Sequence, residues 1–205
     1  MTDKDTVEAL TQAAIHLFAE HGFDGTSVKQ IADRAGVNVS LVSYHFGGKE
    51  GLLKTCMENF GKQRLAVSQR VLEPPSSIEE LRVRLTLFIE DMWVTHMEQP
   101  DLCKILHREK EFGMEVAQDI FKNTFLKSFE TLVVFIKTAQ TRGLVKQQLD
   151  PFALAGFVYG SMMSVAQSDK IGEKFFGRTL KNKKERDRMI DELLDCLLNG
   201  FAVKS

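Results

Sequence analysis

The chain has 205 residues, of which 43% are hydrophobic and 27% charged, and its formal net charge is −1. That much apolar material supports a packed core and excludes a disordered chain, while the near-zero charge gives no general attraction to nucleic acid. The three cysteines, Cys56, Cys103 and Cys196, stand too far apart for a disulfide framework or a CxxC metal knuckle.

The first residues, MTDKDTVEAL, are polar and acidic and lack a signal-peptide core. The longest apolar run, from Phe152 to Ala166, is shorter than the roughly 20 residues a membrane span needs. Both observations predict a cytoplasmic protein with no membrane contact.

Helical periodicity dominates from there. Val7, Leu10, Ala14, Leu17 and Phe18 mark a first helix closed by Gly22. Ser27 with Gln30 forms a capping box for a short second helix over Val28, Ile31, Ala32 and Ala35, ended by Gly36. Asn38 caps a third helix that runs to Phe46 and stops at Gly47-Gly48. Lys49 and Glu50 open a fourth, with Leu52, Leu53, Cys56, Met57 and Phe60 on one face.

After Glu73-Pro74-Pro75, Ser76 and Glu79 cap a long helix carrying Leu81, Leu85, Phe88, Ile89, Met92 and His96. Pro100 starts another segment. Residues 114–141 are helical again, with Phe121, Phe125, Phe129, Leu132 and Ile136. Asp150-Pro151 opens a helix that is apolar nearly all round to residue 168; a polar, basic loop and a last helix with Ile190, Leu194 and Leu197 follow. The expectation is an all-α chain of about nine helices.

Two short helices joined by AGVN over residues 26–46 have the spacing of a helix-turn-helix. In such a pair the second helix enters the major groove with its first residues at the base edges. That gives the hydroxyls of Ser40 and Ser43 a purpose, since serine can donate to or accept from bases. Residues 26–70 hold seven Lys/Arg against three acids, a weak bias, so the DNA-binding reading rests on the motif.

The segment GFDGTSVKQIADRAGVNVSLVSYHFGGKEGLL resembles the DNA-binding region of the TetR (tetracycline repressor) family. Gly22-Phe23, Thr26, Ile31-Ala32, Ala35-Gly36-Val37, Tyr44-His45-Phe46, Lys49-Glu50 and Leu52-Leu53 carry the likeness, over residues 8–54. The resemblance implies base-facing Val39, Ser40 and Ser43, and phosphate contacts from Thr26, Tyr44, His45 and Lys49. Ser43 departs from the aromatic or amide usual at its position. The likeness further implies a DNA-binding domain at 1–50, an effector-binding and dimerisation domain at 51–205, and a homodimeric repressor released from a palindromic operator by a small molecule.

Fifteen phenylalanines and eight methionines suggest adaptable packing or an apolar cavity. Met57, Phe60, Phe88, Met92, Trp93, His96, His107, Phe112, Phe121 and Phe125 sit in segments that, by resemblance, surround the effector cavity. Aromatic stripes at helical spacing equally suit a core. Gly156, Gly160 and Ser164 recur every fourth residue in the apolar helix, and a helix apolar on every side needs cover that one final helix cannot supply. A dimer seam of Phe157, Gly160, Ser164, Ile190, Leu194 and Leu197 is therefore expected.

His96, Cys103 and His107 match no common zinc spacing, so no metal or cofactor is expected. The competing readings are a regulator without a ligand or an activator, a non-DNA adaptor using the C-terminal helices, and a helical enzyme using Cys103 and His107.

Overall fold

A computed structural model describes residues 2–201, with only the backbone of Phe201, so residues 202–205 of the expected C-terminal domain lie outside the described residues. The described residues form helices and loops with no strand. In chain order the elements are α1 (Asp3–His21), α2 (Val28–Ala35), α3 (Ser40–Phe46), α4 (Lys49–Val71), α5 (Ile78–Glu98), α6 (Pro100–Glu111), α7 (Gln118–Phe121), a π turn (Lys122–Leu126), α8 (Lys127–Thr141), α9 (Pro151–Gln167), α10 (Asp169–Phe176) and α11 (Lys183–Phe201).

Local chemistry sets most of these limits. Thr2 with Asp5, and Ser27 with Gln30, close complete capping boxes at α1 and α2. Asp150 accepts from the Phe152 amide, and Pro151 supplies the first residue of α9, where its missing N–H costs nothing. Gly36 ends α2 in the left-handed region at φ 68°, a conformation with little penalty only for glycine.

By packing, the chain divides into two compact units, residues 1–64 with 99–125, and residues 65–98 with 126–205. The packing boundary falls about two thirds of the way along α4, after Arg64, whereas the functional boundary expected from the sequence is at residue 50. In the first unit α1 packs on α2 and α6. Its core joins Leu10, Ala14 and Phe18 to Ile31, Ala32, Val42, Leu52, Leu53, Met57, Phe60 and Ile105. In the second, α9 packs on α8 and α5, and α5 on α11, around Leu85, Phe88, Trp93, Phe135, Val158, Met162, Ile190 and Leu194. Arg82 reaches Asp195 at 2.6 Å and Asp191 at 3.1 Å, tying α5 to α11.

Three elements differ from expectation. The helical stretch after residue 114 begins at Gln118 and contains the π turn, within which the Thr124 hydroxyl donates to the Ile120 carbonyl at 2.6 Å. This turn abuts α4 at Gly61, where a Cβ would stand 2.2 Å from Thr124 Oγ1. The basic loop contains α10, an amphipathic helix closed by Gly177 in the left-handed region. Helix α9 is buried on one face only: Leu154, Ala155, Val158, Met162 and Ala166 point inward, while Gly156, Phe157, Gly160 and Ser164 are exposed.

Ile190 and Leu194 correct the expected dimer seam. They are 1% and 0% exposed within their own chain's core, so they have no surface left for a second copy. The more accessible apolar side of α11 carries Met189, Leu193 and Leu197.

Candidate DNA-binding interface

Helices α2 and α3 are held by a small apolar contact. Ile31 and Ala32 on α2 and Val42 on α3 are 0 to 1% exposed, and Val42 is the only buried residue of α3. Between the helices, the Val37 amide donates to the Ala32 carbonyl at 3.1 Å. Asn38 Oδ1 then accepts from both the amide (2.9 Å) and the hydroxyl (2.8 Å) of Ser40, satisfying an otherwise free donor at the start of α3.

Val42 turns inward with Leu41 and Phe46 packed beside it, and the opposite side of the helix faces out. Val39 is 47% and Tyr44 76% exposed, and Ser40 and Ser43 are exposed beside them. This face is uncharged and carries two hydroxyls and a phenol. The Ser40 hydroxyl proton points to Asn38, so in this arrangement its oxygen is better placed to accept than to donate.

Two of the four expected phosphate ligands have other tasks. Thr26 is 2% exposed, and its hydroxyl lies 2.7 Å from the Gly22 carbonyl and 3.1 Å from that of Leu17. It holds the end of α1 and has no access to a phosphate. The Lys49 ammonium donates to the carbonyls of Phe23 (2.8 Å) and Thr26 (3.0 Å) and sits 4.2 Å from the Phe23 ring centroid. Two of its three N–H groups are therefore committed to the turn between α1 and α2.

Tyr44 keeps the open position the sequence suggests. Its neighbour His45 is half-buried, with the two rings edge to face at 4.8 Å, and His45 Nε2 is buried without a hydrogen-bond partner. A phosphate contact through that nitrogen would require the ring to turn.

One exposed cation escaped the sequence reading. Lys29 lies in the first turn of α2, which carries no acidic residue. A cation there opposes the helix dipole, and that local disadvantage was the available signal.

The expected effector-pocket residues separate by unit and by exposure. Met57, Phe60, His107, Phe112, Phe121 and Phe125 belong to the first unit, and Phe88, Met92, Trp93 and His96 to the second. Met57, Phe60, Phe88 and Trp93 are 0 to 3% exposed and belong to the packed cores of their units. The Trp93 indole donates to the Met162 carbonyl at 2.9 Å, which completes its burial. Phe112 is a surface residue, 73% exposed. Phe121 and Phe125 are half-buried and stacked at 6.0 Å, and Met92 and His96 are also half-buried. Burial lowers the pKa of His96 and favours its neutral form.

The enzyme alternative meets an obstacle of charge. Burial pushes the Cys103 thiol up to about 11 despite nearby Arg64, the opposite of an activated nucleophile. His107 is exposed and lies 3.4 Å from Glu111. Among the described residues no group of three His, Cys, Asp or Glu side chains is placed to hold a metal, and no helix is long and apolar enough to cross a membrane.

Residues 10–56 match the family model of bacterial regulatory proteins of the tetR family. The chain is 29% identical over 125 residues to the Probable HTH-type transcriptional regulator YttP of Bacillus subtilis, covering 60% of this chain and 58% of that one. It is 28% identical over 153 residues to the HTH-type transcriptional regulatory protein RaaS of Mycobacterium tuberculosis, covering 73% and 64%. The chain thus spans less than two thirds of either relative. The fold matches that of SmeT, the repressor of the Stenotrophomonas maltophilia multidrug efflux pump SmeDEF, in its complex with triclosan, with a TM-score of 0.72, 18% identity and coverage of 98% and 93%. Residues 10–56, which contain the helix-turn-helix and its exposed third helix, therefore belong to the tetR family of bacterial regulatory proteins.

Proposed function

We propose that this chain is a cytoplasmic, homodimeric repressor that binds a palindromic operator and is released by a small apolar effector. The observation that carries the reading is the division of α3: Val42 is buried in the core with Leu41 and Phe46 packed beside it, and Val39, just before the helix, with Ser40, Ser43 and Tyr44 is presented to solvent. In the groove, Val39, Ser40 and Ser43 face base edges, Tyr44 reaches a phosphate, and Lys29 supplies a cation at the N-terminus of α2, where backbone amides also favour an anion.

The open face of α9 supports the dimer, because Gly156, Phe157, Gly160 and Ser164 are exposed among the described residues. Two-fold symmetry would then set two α3 helices about 34–36 Å apart, one turn of B-DNA. An effector is supported by the triclosan complex of SmeT and, within the first unit, by the stacked rings of Phe121 and Phe125, which retain accessible surface. An effector that prefers a dimer with wrongly spaced α3 helices would release DNA by population shift.

Selection from a random duplex library tests the proposal. It should enrich an inverted repeat with half-sites about 10 base pairs apart. Retention of duplexes without any enriched sequence would refute it.

A further inference from the structure

We propose, resting on the homodimer reading, that each copy seats its Phe157 ring in a hollow of the other copy, between the C-terminal half of α9, α10 and the start of α11. The hollow measures about 330 Å3, and its walls include Ser164, Val165, Ser168, Phe176, Leu180 and Met189. A void of about 150 Å3 already admits benzene, so a phenyl ring fits with room for its approach.

The charged groups beside the hollow have partners in their own chain. Asp169 accepts from the Leu180 amide at 2.6 Å and from the Thr179 hydroxyl at 3.1 Å. Arg178 Nε donates to Glu185 at 3.2 Å. What remains for an occupant is a mostly apolar lining, with Val165, Phe176, Leu180 and Met189 beside the hydroxyls of Ser164 and Ser168. Phe157 is 66% exposed, a cost in water that such a wall would remove.

Register argues for a second copy of this chain as the occupant. Phe157, Ser164 and the C-cap Ser168 stand at i, i+7 and i+11, which places each serine within about 20° of Phe157 around the axis of α9. At Gly160 an added Cβ would meet nothing within 4 Å, so this point admits the closest approach of another helix. An antiparallel crossing centred between residues 160 and 161 sets Phe157 of one copy opposite Ser164 of the other, on the same flank. Two-fold symmetry then repeats the contact, as a closed, self-complementary interface requires. Phe152 is also exposed, at 63%, but it lies about 140° from Phe157 around the helix and faces away from this seam.

The test is a size-swap cycle read by sedimentation equilibrium, with circular dichroism to confirm folding. Phe157→Ala should weaken dimerisation at least about ten-fold, as loss of a seated aromatic anchor does. Ser164→Phe, which fills the hollow, should also weaken it. The double variant should recover most of the loss, because the added ring enters the space its counterpart vacates. A wild type that is monomeric at micromolar concentration overturns both the dimer reading and this inference. A dimeric wild type whose dimerisation ignores Phe157→Ala, or single losses that add without recovery, overturns the inference and leaves the dimer reading standing.

Discussion

The Lys49 ammonium lies 2.8 Å from the carbonyl oxygen of Phe23 and 4.2 Å from the centre of its ring. One side chain at the start of α4 therefore holds the turn that leads into α2. A second carbonyl, that of Thr26, completes the clamp at 3.0 Å. Lys49→Ala should cost about 1.5–3 kcal/mol of stability, the usual worth of hydrogen bonds to a charged group. It should weaken DNA binding by loosening α2 while leaving the salt dependence of binding unchanged. Urea unfolding and titrations at several salt concentrations measure the two effects. A salt slope lower by about one unit, with stability intact, would return Lys49 to the phosphate backbone.

Lys29 should behave in the opposite way. Lys29→Ala should reduce the salt slope by about 0.9, the share of one neutralised phosphate. Stability should hold or rise slightly, since a cation leaves the positive end of α2. The same titrations decide it, and an unchanged slope removes Lys29 from the interface.

Trp93 is the chain's one tryptophan and is 1% exposed. Its emission should be blue-shifted and poorly quenched by acrylamide. Trp93→Phe should destabilise the fold by about 1–3 kcal/mol, because the Met162 carbonyl loses its donor in a dry setting. Strong quenching in the native state would show that the ring faces an open cavity.

Glu80 gives the acid limb of the stability curve a specific contributor. Hydrogen bonds from the Ser76 hydroxyl and amide and from Arg84 hold its carboxyl well below the ordinary 4.5, at about 2. A depressed carboxylate stabilises the fold above its unfolded pKa and loses that effect as pH falls through the folded one. Part of the stability should therefore disappear between about pH 4.5 and 2. Glu80→Gln should flatten the curve in that window, as thermal melts across pH would show; a curve identical to the wild type's would exclude the contribution.

Much of the N-terminal unit was legible because its signals are local. Ser27 and Gln30 stand three residues apart and cap the helix they bracket, and Gly36 and Gly47 end α2 and α3 where the sequence places them. The task of Lys49 was not legible, since its acceptors lie 23 and 26 residues away and nothing in its neighbours announces them. Helix α10 hid among lysines because its apolar residues, Ile171, Phe175 and Phe176, are few and exposed. The stripe of Ile190 and Leu194 announced a buried face without saying whether its own chain or another would cover it. Phe88 and Trp93 raised the same ambiguity, since a core and a cavity wall demand the same spacing of apolar residues.

Selection of bound duplexes, run in parallel with the wild type and Ser43→Ala, tests most directly the claim that the exposed face of α3 reads bases. The wild type should select one inverted repeat and the variant a changed preference at one position in each half-site, with a cost of up to about 1–3 kcal/mol per site. Identical enriched sequences for both proteins, or none for either, would contradict it.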